Sequence, residues 1–262
     1  MARKPHETKL PAPYLKRLTV VAEKLPATPD YPFSLPWLNE DFEFRFEAPV
    51  TIIAGENGTG KSTFIEALAA LSGYDEAGGG KGYAPVDHAN ALDTSGADLA
   101  DAFRAAWLPK ITNGWFFRAE TFFSVARYLD AAALEDPFNP PPPDFLSHSH
   151  GEGFLRFFDE RLGRQGIYFF DEPESALSPR RQLELLRLLA EIQASERAQV
   201  ILATHSPILM AVPGADLVQI SKDGFRRRML QEIPHFRLYQ AFSADPDGFV
   251  AAALAGDEDL LF

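Results

Sequence analysis

The chain has no cysteine among its 262 residues, which excludes disulfides, thiolate metal centres and cysteine nucleophiles. It also lacks any run approaching the roughly 18 uninterrupted apolar residues that a membrane-spanning helix needs. Its basic start, Met1 to Lys24, has no apolar block of the secretory kind. The expectation is a cytoplasmic protein with no membrane insertion. No internal repeat is visible, and no heptad pattern is sustained over three repeats, so a long coiled-coil arm is excluded. Positive charge is scarce: 25 Lys and Arg stand against 37 Asp and Glu, a net charge of -12. Met1 to Lys24 hold a disproportionate share of the cations, which leaves about -16 on the remainder. A general binder of phosphate backbones is disfavoured, although Arg226-Arg227-Arg228 leaves a local basic patch open beside the alternative of solvated surface.

What the chain does have is a phosphate cradle. Gly55-Glu56-Asn57-Gly58-Thr59-Gly60-Lys61-Ser62 is a complete P-loop, followed by Thr63. A strand-like run, Pro49 to Ala54, delivers the chain into a turn whose three glycines let successive backbone N–H groups curl around a phosphate. Lys61 then reaches the outer phosphates. Ser62 opens a helix expected from Lys61 to Leu71, so that its hydroxyl can ligate Mg²⁺ while the helix N-terminus faces the anion. A glycine-rich turn that binds nothing would not need strand, loop, Lys-Ser and helix all to agree.

Two further segments end in polar residues after short apolar runs. Ile167-Tyr168-Phe169-Phe170 has no alternation, the pattern of a strand buried on both faces, and terminates in Asp171-Glu172-Pro173. Parallel α/β sheets place ligands at that carboxyl edge. Asp171 is the candidate Mg²⁺ ligand and Glu172 the candidate base that polarises the attacking water. The alternative is that these acids merely cap the next helix, Pro179 to Ala194; Glu174 and Ser178 are better placed for that duty. Val200-Ile201-Leu202-Ala203 similarly leads to Thr204-His205, 34 positions after Asp171. On a neighbouring parallel strand His205 reaches the same edge and can donate to a γ-phosphate; the alternative is a packed polar histidine.

Strand-like runs therefore fall at Leu18 to Val21, Phe42 to Phe46, Val50 to Ala54, Ile167 to Asp171, Val200 to Ala203 and Leu217 to Ser221. This predicts an α/β fold in one domain spanning 1–262, with a mixed, mostly parallel core lobe (1–72 and 166–262) and an inserted helical lobe (73–165) that interrupts the sheet. The insertion opens with Gly78-Gly79-Gly80, Lys81 and Gly82. Helical patterns follow over Ala97 to Trp107, Glu120 to Leu134 and Gly153 to Leu162. Pro140-Pro141-Pro142-Pro143 reads as a stiff spacer, with a ligand for a partner domain as the alternative.

Together these motifs resemble the ABC-type ATPases, the P-loop NTPase superfamily of transporter nucleotide-binding domains and SMC-like heads. The resemblance implies a Walker B pair at Asp171 and Glu172, a D-loop at Ser175-Ala176-Leu177-Ser178 and a switch histidine at His205. A signature motif is implied at Ser149-His150-Gly151-Glu152, with Gly151 twenty positions before Asp171. In that family two copies sandwich ATP, which implies an ATP-dependent homodimer with Ser149 and Gly151 acting in trans. Reading His148 and His150 as a metal pair is the alternative, but no third ligand lies close by. The chain departs from the transporter branch, which has Leu-Ser-Gly-Gly-Gln at the signature and a glutamine at the lobe junction; here Glu120 of Phe116-Phe117-Arg118-Ala119-Glu120 stands for the glutamine as a water-mediated Mg²⁺ ligand. With the Gly-Glu-Asn-Gly form of the P-loop and Tyr31-Pro32-Phe33-Ser34-Leu35-Pro36, nearly the whole chain is similar to a group of small, stand-alone bacterial AAA-type ATPases with SMC-like heads. The implied activity is hydrolysis of ATP to ADP and phosphate, coupled through an unknown partner protein. Alternatives are a nucleic-acid-linked repair or defence ATPase and the ATP-binding subunit of a membrane transporter.

Overall fold

The computed structural model describes residues 8–75, 78–81, 95–111, 113–119, 158 and 161–256. Among these residues nine strands fall into two sheets. β1 (Leu15–Val20), β2 (Glu43–Arg45) and β4 (Phe103–Trp107) form an antiparallel sheet in the order β2-β1-β4. β3 (Val50–Ala54), β5 (Gly114–Arg118), β6 (Ile167–Asp171), β7 (Gln199–Ala203), β8 (Asp216–Ser221) and β9 (Gly224–Arg227) form the larger one, in the order β5-β6-β7-β3-β8-β9. Its first five strands are parallel and β9 returns antiparallel. The P-loop strand β3 thus sits between β7 and β8.

The central strands are buried on both faces, as their unbroken apolar runs require: every residue of β3, β6 and β7 is buried. Side chains alternate between two cores. Ile52, Tyr168, Phe170, Val200 and Leu202 point to one, where Leu185, Leu189 and Ile192 of α3 (Pro179–Ser195) pack. Ile53, Phe169 and Ile201 point to the other, closed by Phe64, Ile65 and Leu68 of α1 (Lys61–Ser72) and by Leu15, Leu18 and Phe44 of the antiparallel sheet. Serine 178 caps α3, accepting from the Arg181 N–H, with Pro179 at the first helical position.

The interval 73–165 departs from expectation. The alanine-rich stretch forms only a short helix, α2 (Ser95–Asp101), and Phe103–Trp107 is β4 rather than its continuation. Pairing with β1, and packing of Phe103 on Phe42 at 5.7 Å, override the helical propensity of Ala105 and Ala106. Nor is the sheet interrupted there: Gly114–Arg118 is β5, pairing with β6 in register from Gly114↔Ile167 to Arg118↔Asp171. Gly114 permits this because its φ is +145° and an added Cβ would stand 1.8 Å from the Ile167 carbonyl oxygen. Phe117 stacks on Phe170 at 4.7 Å. The helix expected over 120–134, most of that over 153–162 and the 140–143 proline tract lie outside the described residues.

The described residues also form α4 (Pro207–Met210), α5 (Pro234–Ala244) and α6 (Pro246–Ala255). No described helix is long and apolar enough to cross a membrane.

Candidate functional site at the carboxyl edge of the sheet

β3 ends at Ala54 and the chain turns through the P-loop into α1. Gly58 and Gly60 hold φ of +76° and +87°, the left-handed region that side chains resist. Gly55 is required for a different reason: a Cβ there would meet the Ile220 carbonyl oxygen of β8 at 2.6 Å. Above Gly58 a Cβ would meet nothing within 4 Å, so the mouth of the turn is open. The 31–37 segment buttresses the loop from outside. Trp37 Nε1 donates to the Thr59 carbonyl (2.8 Å), and the Tyr31 and Thr63 hydroxyls share a hydrogen bond. Glu56, Asn57 and Gly58 are exposed at the rim.

Lys61 is only 4% exposed and its Nζ donates to the Glu56 carbonyl at 3.1 Å. Burial lowers its pKa, against the opposing pull of the Glu172, Asp171, Glu56 and Glu174 carboxylates. A cation held at a desolvation cost among acids is poised to gain from an incoming polyanion. Ser62 follows at the first turn of α1.

The parallel register Asp171↔Ala203 brings the ends of β6 and β7 level, and His205, two residues past β7, arrives beside Glu172. His205 Nε2 stands 3.4 Å from Glu172 Oε1, and among the described residues it has no partner at full hydrogen-bonding distance. Histidine 205 is the first cause holding the Glu172 carboxyl below its ordinary range; burial opposes it and Lys61 assists. The chain reverses at Glu172 in a left-handed conformation (φ +46°, ψ +53°), rare for a residue with a side chain and a form of local strain that tends to accompany functional sites. Its N–H still bonds the Ala203 carbonyl at 3.0 Å, tying the reversal to β7.

Glu174 does not join Ser178 in capping α3. The reversal at Glu172 turns its carboxylate inward, where it accepts the His205 backbone N–H. Burial raises its pKa, partly offset by that bond. Arg118, at the end of β5, carries a buried guanidinium 2.9 Å from Glu66 of α1 and 3.8 Å from Asp171 Oδ2. The sequence reading gave neither Glu174 nor Arg118 this place. It missed His235 of α5 altogether, whose ring lies 5.3 Å from that of His205.

The donor set near the cradle is oxygen: the Ser62 hydroxyl and the Asp171 carboxylate, 8% exposed. Among the described residues no cluster of three or more His, Cys, Asp or Glu is arranged to hold a metal. Two oxygen ligands suit Mg²⁺, which keeps several of its waters and binds phosphates alongside one or two protein groups. Glu120, Ser149, His148, His150 and Gly151 lie outside the described residues. Within the arginine triplet Arg226 is exposed, whereas Arg227 bonds Asp216 (2.9 Å) and lies 3.4 Å from Glu47, and Arg228 lies 3.9 Å from Glu232.

A P-loop cradle on a central parallel strand, facing an acidic strand end across the same edge, defines the molecule as a P-loop NTPase. Two family models match it: "AAA domain, putative AbiEii toxin, Type IV TA system" over residues 140–211, and "AAA domain" over residues 33–99. Both matches are to AAA domains, and each covers about a quarter of the chain. No curated protein matches it. Among solved structures it is similar to "a putative metal-chelate type ABC transporter" in an inward-facing conformation (17% identity, 83% of this chain and 84% of that one, TM-score 0.47). It is also similar to the SMC head domain from Thermotoga maritima (14%, 82% and 98%, 0.44) and to an SMC head bound to the C-terminal winged-helix domain of ScpA (15%, 82% and 98%, 0.45).

Proposed function

We propose that the protein is a Mg²⁺-dependent ATPase in which two copies sandwich ATP, hydrolyse it and separate. The observation that carries this reading is the convergence of Lys61, Asp171, Glu172 and His205 on the one sheet edge where the P-loop opens. Lys61 neutralises the outer phosphates. Ser62 and Asp171 would hold a Mg²⁺ ion, which would supply charge neutralisation to the phosphates. Glu172, kept ionised by His205, orients a water molecule and accepts its proton, while His205 donates to the γ-phosphate. Ser149 and Gly151 of the second copy complete the phosphate contacts. The process coupled to turnover acts through a partner protein not identified by its chemistry. Against broad nucleic-acid binding stand the net charge of -12 and the ion pairs of Arg227 and Arg228 within the chain.

The test is the Glu172→Gln variant, which keeps the shape of the side chain and removes the base. With ATP and Mg²⁺ it is expected to scatter light at twice the 29.0 kDa of the chain, whereas Lys61→Met stays monomeric. A purely monomeric Glu172→Gln protein under saturating ATP refutes the sandwich. Turnover that rises with DNA or RNA at low salt favours the nucleic-acid-linked alternative instead.

A further inference from the structure

His235 lies in no motif, yet it occupies the edge where the site residues meet. It is the second residue of α5, directly after Pro234. Its ring centroid is 5.3 Å from that of His205 with the planes 55° apart, and 5.5 Å from that of Tyr239, one helical turn further on. The residues around it fix it in place. Ile233, 2% exposed, belongs to the core that includes Leu209 and Met210 of α4, and Phe236 packs against the same core. The Arg237 N–H bonds the Ile233 carbonyl and starts the helix from that anchor. The first turn of α5 is therefore docked, although no residue within the helix is itself buried.

Consider what holds the ring of His205. Its backbone is tied to Glu174 through the N–H, but its Nε2 faces Glu172 at 3.4 Å without a bond of full strength. At 3.4 Å the contact with Glu172 alone does not fix the plane of this mostly buried ring, so the groups packed beside it set its orientation. His235 is the aromatic flank that the described residues provide. Burial and the neighbouring His205 lower the pKa of His235, with Lys61 adding to the effect and Glu56 opposing it. A neutral flanking ring avoids repulsion with Lys61.

We propose that His235 is a positioning residue of the nucleotide site: packed against His205, it holds that ring toward Glu172, so that the docking of α5 sets the geometry of the switch histidine. The inference rests on the ATPase reading above and deepens it. It joins the first turn of α5 to the site through a ring contact rather than through a group that touches substrate.

The test separates packing from chemistry. Removing a well-placed ring contact costs the reactive geometry about five- to tenfold in rate. His235→Ala is expected to lower kcat by that factor, with KM and the affinity for mant-ATP within about twofold of the parent. His235→Phe restores a ring without nitrogens and is expected to recover kcat to within about threefold. His235→Asn, a second small replacement, should behave as alanine does if the ring is what matters. A wild-type kcat in both small variants overturns the inference, and so does a phenylalanine variant as slow as alanine. Lys61→Met run alongside distinguishes the two levels. If it is inactive while His235→Ala is unaffected, only the positioning role fails; if it hydrolyses ATP normally, the reading of the site fails and the inference with it.

Discussion

Replacing Gln199 by leucine removes one side chain that joins the two sheets. Gln199 opens β7 with no exposed surface. Its Oε1 accepts the N–H groups of Tyr14 and Leu15, each at 2.8 Å, and its Nε2 donates to the Leu15 carbonyl at 3.1 Å. Tyr14 and Leu15 are themselves fully buried, so no water can take over. Leucine fills a similar volume but leaves both N–H groups without their acceptor. An orphaned buried donor costs about 1–3 kcal/mol, so the two together cost about 4 kcal/mol at the centre of that range. For a chain of this size each kcal/mol shifts the melting temperature by about 2–4 °C, which gives a fall of roughly 8–16 °C.

The assay is guanidinium denaturation with an unchanged slope and a lowered midpoint, checked by thermal melting. About 13 Å of extended strand separates Gln199 from Ala203 at the site edge, so mant-ATP affinity of the folded variant should stay within about twofold of the parent. Gln199→Glu is the companion. Its carboxylate can accept both N–H groups but must carry a proton to donate to Leu15, so its deficit should shrink as the pH is lowered. A Gln199→Leu protein within about 1 kcal/mol of the parent would show that the buried N–H groups find other acceptors, and the reasoning would fail.

Two further outcomes follow from the charges at the site. Nucleotide at a hundred times its Kd stabilises a binding-competent fold by about 2.7 kcal/mol, here about 5–11 °C; Lys61→Met should lose this shift while melting no lower than the parent without nucleotide, because burial disfavours the Lys61 charge. An ATP-dependent shift retained in Lys61→Met counts against the cradle. Glu174 has a folded pKa raised by burial, so its contribution to stability is fully present below the ordinary carboxylate value and is lost as the pH rises through the folded one. Glu174→Gln keeps an acceptor for the His205 N–H and should melt higher than the parent at pH 8, with the difference vanishing as the pH falls toward 4.5. A difference that does not vary with pH would mean that the carboxyl is not desolvated as described.

What the sequence discloses of this molecule follows the range of the forces involved. The P-loop is legible because a phosphate cradle is built from consecutive backbone groups, and Gly55, Gly58 and Gly60 each meet a need set within a few residues or by one neighbouring strand. The ends of β6 and β7 are legible because strands buried on both faces leave an apolar run that stops where polar residues begin. β4 and β5 are not, because Phe103–Trp107 and Gly114–Arg118 take their form from partners elsewhere in the chain, β1 and β6. Local propensity favoured a helix for the alanines in one, and the glycine that admits the other signals a turn as readily as a close approach.

The site residues divide in the same way, and the division bears on where regulation can act. Asp171, Glu172 and His205 are positioned by strands whose register the core fixes, so they were visible as strand-end residues before any contact was known. Glu174 depended on the left-handed reversal at Glu172, which no residue type in Asp171-Glu172-Pro173 announces. His235 depended on where α5 docks, thirty positions beyond His205, through Ile233 and Phe236. That contact is set by how one helix docks on the core rather than by the register of the sheet. The P-loop is therefore built into the central sheet, while the ring beside His205 is supplied by α5, which docks through Ile233 and Phe236. A partner that shifts α5 could change turnover while leaving nucleotide affinity almost untouched.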